Sequence, residues 1–146
     1  MAASAWEFYN NFKNQLGGGA IDLNGAGDTF NMILCGSTSN ANDATLNSYS
    51  SLTGEKAADN GYTTGGKALV VNWSVKATTS TYSWTFNTVA FTAAAASAMT
   101  DVRYAVIMTN TSSILVCWSE LTTAALDVPA GKELIIEPNP VCFELS

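Results

Sequence analysis

The feature that most restricts this chain is a two-residue rhythm between Ala68 and Asn87. Leu69, Val71, Trp73 and Val75 occupy alternate positions, with Val70, Asn72, Ser74 and Lys76 between them. After the polar turn KATTST, Tyr82, Trp84 and Phe86 alternate with Ser83, Thr85 and Asn87. Successive side chains of a strand point to opposite faces, so this period predicts a β-hairpin with an aromatic inner face. More apolar runs of strand length follow at 103–109, 113–119, 133–137 and 141–145. Turn residues separate them: NTS, the DVPAGK stretch around Pro129 and Gly131, and PNP at 138–140. Earlier, 29–35 (TFNMILC) is another such run, and 89–91 continues in extended form. The pair at 103–109 and 113–119 is apolar on both faces, as central strands of packed sheets require. Seven or eight short strands predict an all-β fold, a β-sandwich or jelly roll. The alanine-rich stretch 92–99 reads either as a helical turn or as a flat connection.

Ahead of the strands, residues 4–16 are expected to form a short N-terminal helix. Ser4 and Glu7 have the spacing of a capping box. Ala5, Phe8, Tyr9, Phe12 and Leu16 fall on one face, and Gly17-Gly18-Gly19 ends the segment. Trp6, at the edge of that stripe, either packs on the domain or meets a neighbouring subunit. Residues 36–66 are a Ser/Asn/Gly/Thr-rich tract whose only sizeable apolar residues include Leu46, Tyr49 and Leu52. Its length exceeds an ordinary connection, so it is read as a long polar loop or arm. The whole chain, 1–146, is read as one domain.

Composition narrows the function. Only 12% of residues are charged, roughly half the usual fraction, while 47% are hydrophobic. The net charge is −6 and the six basic residues are scattered singly, which argues against a nucleic-acid partner. No apolar run is long enough to span a membrane, and the N-terminus lacks the pattern of a signal peptide. Cys35, Cys117 and Cys142 follow no metal spacing and read as small buried hydrophobes of a reducing compartment.

The segment NGYTTGGKAL (60–69) has the G-x-x-x-x-G-K spacing of a P-loop, but its context is wrong. Polar residues precede it, a strand pattern follows it, and Ala68 stands where the magnesium-binding hydroxyl belongs. It is read instead as a turn in which Asn60-Gly61 and Gly65-Gly66 supply positive φ. The chain contains no histidine, and its carboxylates are spread without a tight pair. Asp43 or Asp59 could hold calcium with loop carbonyls, but EF-hand spacing is absent and they read as solvated acids. No catalytic residue, cofactor or metal is therefore expected, and the chain is read as non-enzymatic. A carboxylate hydrolase assembled in space is the remote alternative.

Several segments, in order, resemble a family of small virion structural proteins of tailed bacteriophages. AWEFYNNFKNQLGGGAIDL is similar to that family's aromatic N-terminal segment "xFKxxLxxGxIDL", and TFNMILC to its following strand. NGYTTGGKAL resembles its "GYTxGGxxL" segment. VAFTAAAASAMTDVRYAVIMTNTSSILVCWSEL resembles its central strands, and KELIIEPNPVCFEL its C-terminus, where PNP and Cys142 replace an aromatic-glycine pattern. The resemblance implies a capsid cement or decoration protein on the capsid surface of the virion, assembled in the host cytoplasm. Its partner would be the major capsid protein, and it would form a homo-oligomer, a dimer or trimer. Trp6, Phe8, Tyr49, Leu52 and Tyr62 are the candidate partner-interface residues. The alternative is a neck-, tail- or fibre-associated module that recognises carbohydrate, for which an exposed Trp73, Trp84 or Trp118 would be the signature; the alternating apolar faces that carry Trp73 and Trp84 favour all three in the core instead.

Overall fold

The computed structural model describes residues 4–76, 81–138 and 143–145. Twelve strands and one short helix are found among them, in the order β1 (Glu7–Phe8), α1 (Asn10–Gly17), β2 (Phe30–Cys35), β3 (Lys67–Leu69), β4 (Val71–Lys76), β5 (Thr81–Phe86), β6 (Val89–Thr92), β7 (Met99–Val102), β8 (Tyr104–Thr109), β9 (Leu115–Glu120), β10 (Leu126–Val128), β11 (Glu133–Ile136) and β12 (Phe143–Leu145). The fold is all-β, with antiparallel sheets and one helix near the N-terminus.

The largest sheet has the order β1-β9-β8-β2-β3. Its middle strands are the doubly apolar segments of the sequence: every residue of β8, and Leu115 through Ser119 of β9, is buried. A second sheet, β12-β5-β4, contains the alternating hairpin, with Trp73 opposite Trp84 and Val71 opposite Phe86. Register explains how the two meet. Phe30, Met32 and Leu34 share a face of β2, and from it Phe30 packs edge-on against Trp84 at 5.3 Å. Trp6 meets Phe86 edge-on at 5.5 Å from the same side of the large sheet. Aromatic edges against faces are the favoured geometry, and they join the sheets into a sandwich. The two-stranded sheets β11-β6 and β10-β7 complete the fold.

The chain passes between the main sheets at one residue. β3 ends at Leu69, β4 begins at Val71, and Val70 between them is 62% exposed. The turn expected around 77–80 lies outside the described residues, as do residues 139–142, which include Cys142. Cys35 and Cys117 are buried thiols, and burial pushes the Cys35 thiol up to about 12.

The N-terminal segment differs from the sequence reading. The helix is Asn10–Gly17, not 4–16, and Tyr9 precedes it without a side-chain cap. Ser4 is not a cap: its hydroxyl bonds to the Glu120 carbonyl and the Ser119 hydroxyl. Glu7 and Phe8 pair with Trp118 and Cys117 as an edge strand. A nearby open strand edge offered these backbone groups ladder partners, and tertiary pairing overrode the local signal. The stretch 93–98 is a connection with one hydrogen-bonded turn, in which the Ser97 amide donates to the Ala94 carbonyl, and it forms no helix.

Candidate functional site

The Asn- and Ser-rich tract 36–66 is tied to the large sheet at the end of β2, where Glu55 bridges Cys35, and ahead of β9, where Ser48 bridges Ile114. Its residue types explain how it is held. Asn40 donates from Nδ2 to the Ser51 carbonyl and accepts at Oδ1 from the Thr53 amide, drawing the loop across itself. Asn11 and Asn31 reach it from outside, donating to the carbonyls of Asn47 and Gly65. The Tyr49 amide donates to the Ser113 carbonyl, and the Lys56 amide to that of Leu34 on β2. At the loop's start, hydrogen bonds from Ser37 hold the Asp101 carboxyl below its ordinary range. The isolated antiparallel bridges at Cys35–Glu55 and Ser48–Ile114 tie the tract to the sheet, and side-chain amides hold the chain elsewhere, where it has no strand period of its own.

Glu55 is the centre of this attachment. Its Oε1 accepts hydrogen bonds from the Tyr62 hydroxyl and the Gly65 amide, each at 2.7 Å, and its Oε2 accepts from the Tyr49 hydroxyl. The Tyr62 oxygen in turn accepts from the Leu34 amide. Tyr62 is 4% exposed and stacks on Phe91. Burial first, and then the Glu55 bond, push the Tyr49 phenol up to about 12, and Tyr62 is raised further for the same reasons.

The five candidate interface residues therefore all have contacts within the chain itself. Trp6 is buried against Phe86, and Phe8 is half-buried and stacked on Phe12 at 5.5 Å. Tyr49 and Tyr62 grip Glu55, and Leu52 packs on the core. Trp84 and Trp118 are buried as well, Trp84 donating its indole hydrogen to the Leu23 carbonyl at 2.9 Å. Trp73 is half-buried and stacks in parallel with Tyr82 at 5.6 Å, and Tyr82 is 45% exposed.

The glycines of NGYTTGGKAL are turn glycines. Asn60 has φ 50°, Gly61 93°, Gly65 88° and Gly66 75°. A Cβ on Gly61 would run into the Thr92 carbonyl, and one on Gly66 into that of Met32. Lys67, in the position of a phosphate-binding lysine, donates to the Ala90 carbonyl at 2.7 Å.

Several acidic residues are engaged in holding backbone. Asp22 caps the amides of Asn24 and Gly27, Asp28 that of Asp22, Asp43 that of Thr45, and Asp127 that of Asp101. Glu120 is paired with Arg103 at 2.7 Å. Beside that pair is a depression of about 430 Å³ lined by Ser4, Glu7, Tyr104, Trp118 and Glu120. Among the described residues, no group of three or more acidic or cysteine side chains is placed to hold a metal.

No family model, curated protein or solved structure matches the chain.

What distinguishes the surface is the corner at Val70. There the ends of two sheet edges, β3 and β4, adjoin, and a shallow hollow of about 250 Å³ lies between Leu69, Val70, Val71 and the Asn24–Gly25 turn. The composition of the sequence offered no signal for it. The two-residue alternation already put Val70 on the outward side with Asn72 and Ser74; what the fold adds is that it stands where the chain changes sheet.

Proposed function

We propose that this chain is a non-enzymatic virion structural protein of a tailed phage, a capsid cement or decoration protein that binds across neighbouring major-capsid subunits and stabilises the head. It would be assembled in the host cytoplasm as a dimer or trimer and carried on the capsid surface. The ordered resemblance of its segments to small phage virion proteins motivates this reading, and the Val70 corner is the observation that carries it. A 62%-exposed valine beside two open strand edges, on a weakly charged protein, suits burial against another protein surface. The engagement of several carboxylates in capping the chain's own backbone supports a structural rather than a catalytic role.

Co-sedimentation with heads assembled without this protein tests the reading. Wild-type protein is expected to pellet with the heads and raise their resistance to heat, while Val70→Glu stays in the supernatant. Wild-type protein that stays in solution would overturn it. A second reading, a neck-, tail- or fibre-associated carbohydrate-binding module, is favoured by the half-exposed Trp73 stacked on Tyr82.

A further inference from the structure

The strongest unassigned feature is a groove of about 240 Å³ beside the Trp73–Tyr82 pair. Its apolar wall comes from Leu16, Ile21, Leu23 and Trp73, and its polar rim from Asp22 and Asn24. The rim is fixed in place by the backbone. Asp22 accepts from the Asn24 amide at 3.0 Å and from the Gly27 amide at 3.0 Å, one bond on each carboxylate oxygen. Its own amide donates to Asp28, whose residue is buried. Behind the wall, Trp84 pins the Leu23 carbonyl. The Asn24 side-chain oxygen is held by the Ala26 amide, which turns its amide nitrogen to the other side of the group as a donor.

We infer that this groove is a binding site for a neutral saccharide, taking one sugar ring against Trp73. Three observations select this ligand class. The volume suits a single ring, well below the size of a site for a large cofactor. A sugar has an apolar face of C–H groups and an edge of hydroxyls, and the groove offers an indole wall ending in a carboxylate and an amide. Each Asp22 oxygen keeps acceptor capacity after its backbone bond, so a hydroxyl can donate to it and accept from Asn24. An apolar side chain in the groove would cover that carboxylate without giving it a hydrogen, which costs free energy. An anionic ligand would face the same carboxylate with like charge. Rigid aromatic and backbone-capped groups add little ordering cost on binding. The site rests on the carbohydrate-binding reading and not on the capsid reading, because the groove lies within one chain.

Two-dimensional NMR titration of the free, full-length protein tests it. The probes are glucose, galactose, mannose, N-acetylglucosamine and their β1,4- and α1,4-linked disaccharides, at millimolar concentration. At least one is expected to give saturable shifts of the Trp73 indole signal and of the amides at 21–24, with the Trp6 indole unmoved. In Trp73→Leu and Tyr82→Ser the affinity should fall at least about tenfold, with a retained far-ultraviolet spectrum showing that the variants fold. Asp22→Asn provides a variant outside the sheet and should weaken binding similarly. Absence of saturable shifts with every sugar would overturn the inference, as would shifts mapping elsewhere. Saturable binding of lysine or arginine amide in place of the sugars would also overturn it, making the groove a pocket for a cationic side chain. Failure to bind capsids would leave these titrations unchanged, and failed titrations would leave co-sedimentation unchanged, so the two proposals fall separately.

Discussion

Tyr62 donates its hydroxyl hydrogen to Glu55 at 2.7 Å while its oxygen accepts the Leu34 amide of β2. One phenol thus connects a loop carboxylate to the backbone of the central sheet. Since Glu55 also receives Tyr49 and the Gly65 amide, three points of the 36–66 tract converge on a single side chain.

Removing that side chain should be expensive. Glu55→Ala leaves two phenols and one amide without their acceptor, and hydrogen bonds to charged groups contribute about 1.5–3 kcal/mol each. Because the three share one carboxylate their losses do not add, and a total near 3 kcal/mol is expected. Tyr62→Phe deletes one donor and should cost about 1–2 kcal/mol. Urea denaturation midpoints check both, with Glu55→Ala expected at the lower midpoint.

Alkali should release the same attachment. The Tyr49 phenol is raised to about 12 in the folded protein, against about 10 when unfolded, so the folded state holds its proton more tightly. Stability from this group is complete below pH about 10 and is lost as pH rises toward about 12. Tyr62 and Tyr9 are raised in the same direction, chiefly by burial. Phenolate absorbance and circular dichroism should therefore change together in this window. In the Tyr49→Phe/Tyr62→Phe double variant, already less stable at neutral pH, the dependence should flatten.

The adjacent glycines Gly65 and Gly66 should respond very differently to alanine. Both have positive φ, which costs an alanine about 1 kcal/mol. At Gly65 the added methyl meets open space, whereas at Gly66 it enters the Met32 carbonyl on β2. Gly65→Ala should lose about 1 kcal/mol, while Gly66→Ala should lose more than about 4 kcal/mol or fail to fold. Thermal melts of the pair make the comparison, and equal losses would contradict the close approach.

Trp84 and Trp6 provide a similar contrast. Trp84 is fully buried and its indole hydrogen has an acceptor, so Trp84→Phe loses volume and also leaves the Leu23 carbonyl unmatched. A cost of about 3 kcal/mol is expected. The Trp6 indole nitrogen is buried with no acceptor among the described residues. Trp6→Phe removes that unsatisfied donor along with the volume, so about 1 kcal/mol is expected. Chemical denaturation of both variants decides the order.

What was legible in the sequence follows physical range. β2, β8 and β9 were visible because residues inside a packed sheet must be apolar on both faces, a property written locally. The β4–β5 hairpin was visible for the matching reason, its two-residue alternation. The Ser4–Glu7 signal misled because Ser4 bonds to Glu120 and Ser119, more than a hundred residues away, and Glu7–Phe8 joins β9. β7 and β10 are three or four residues long and carry too few alternations to register. The groove at Trp73 was half visible: the tryptophan was a candidate for sugar stacking, but the capped Asp22–Asn24 rim needed the fold to bring it alongside. The loop was hardest to read, since asparagine does not disclose which distant carbonyl it will meet.

The Asn- and Ser-rich loop has one more consequence. Many of its amides and hydroxyls are already bonded to its own backbone and to the sheet, so they hold water less firmly than lysine or glutamate side chains would. Bringing another surface against such a coat strips away few strongly hydrated groups, and the free-energy cost of drying it is correspondingly low. A surface finished in this way can be dried at little cost by whatever surface comes against it.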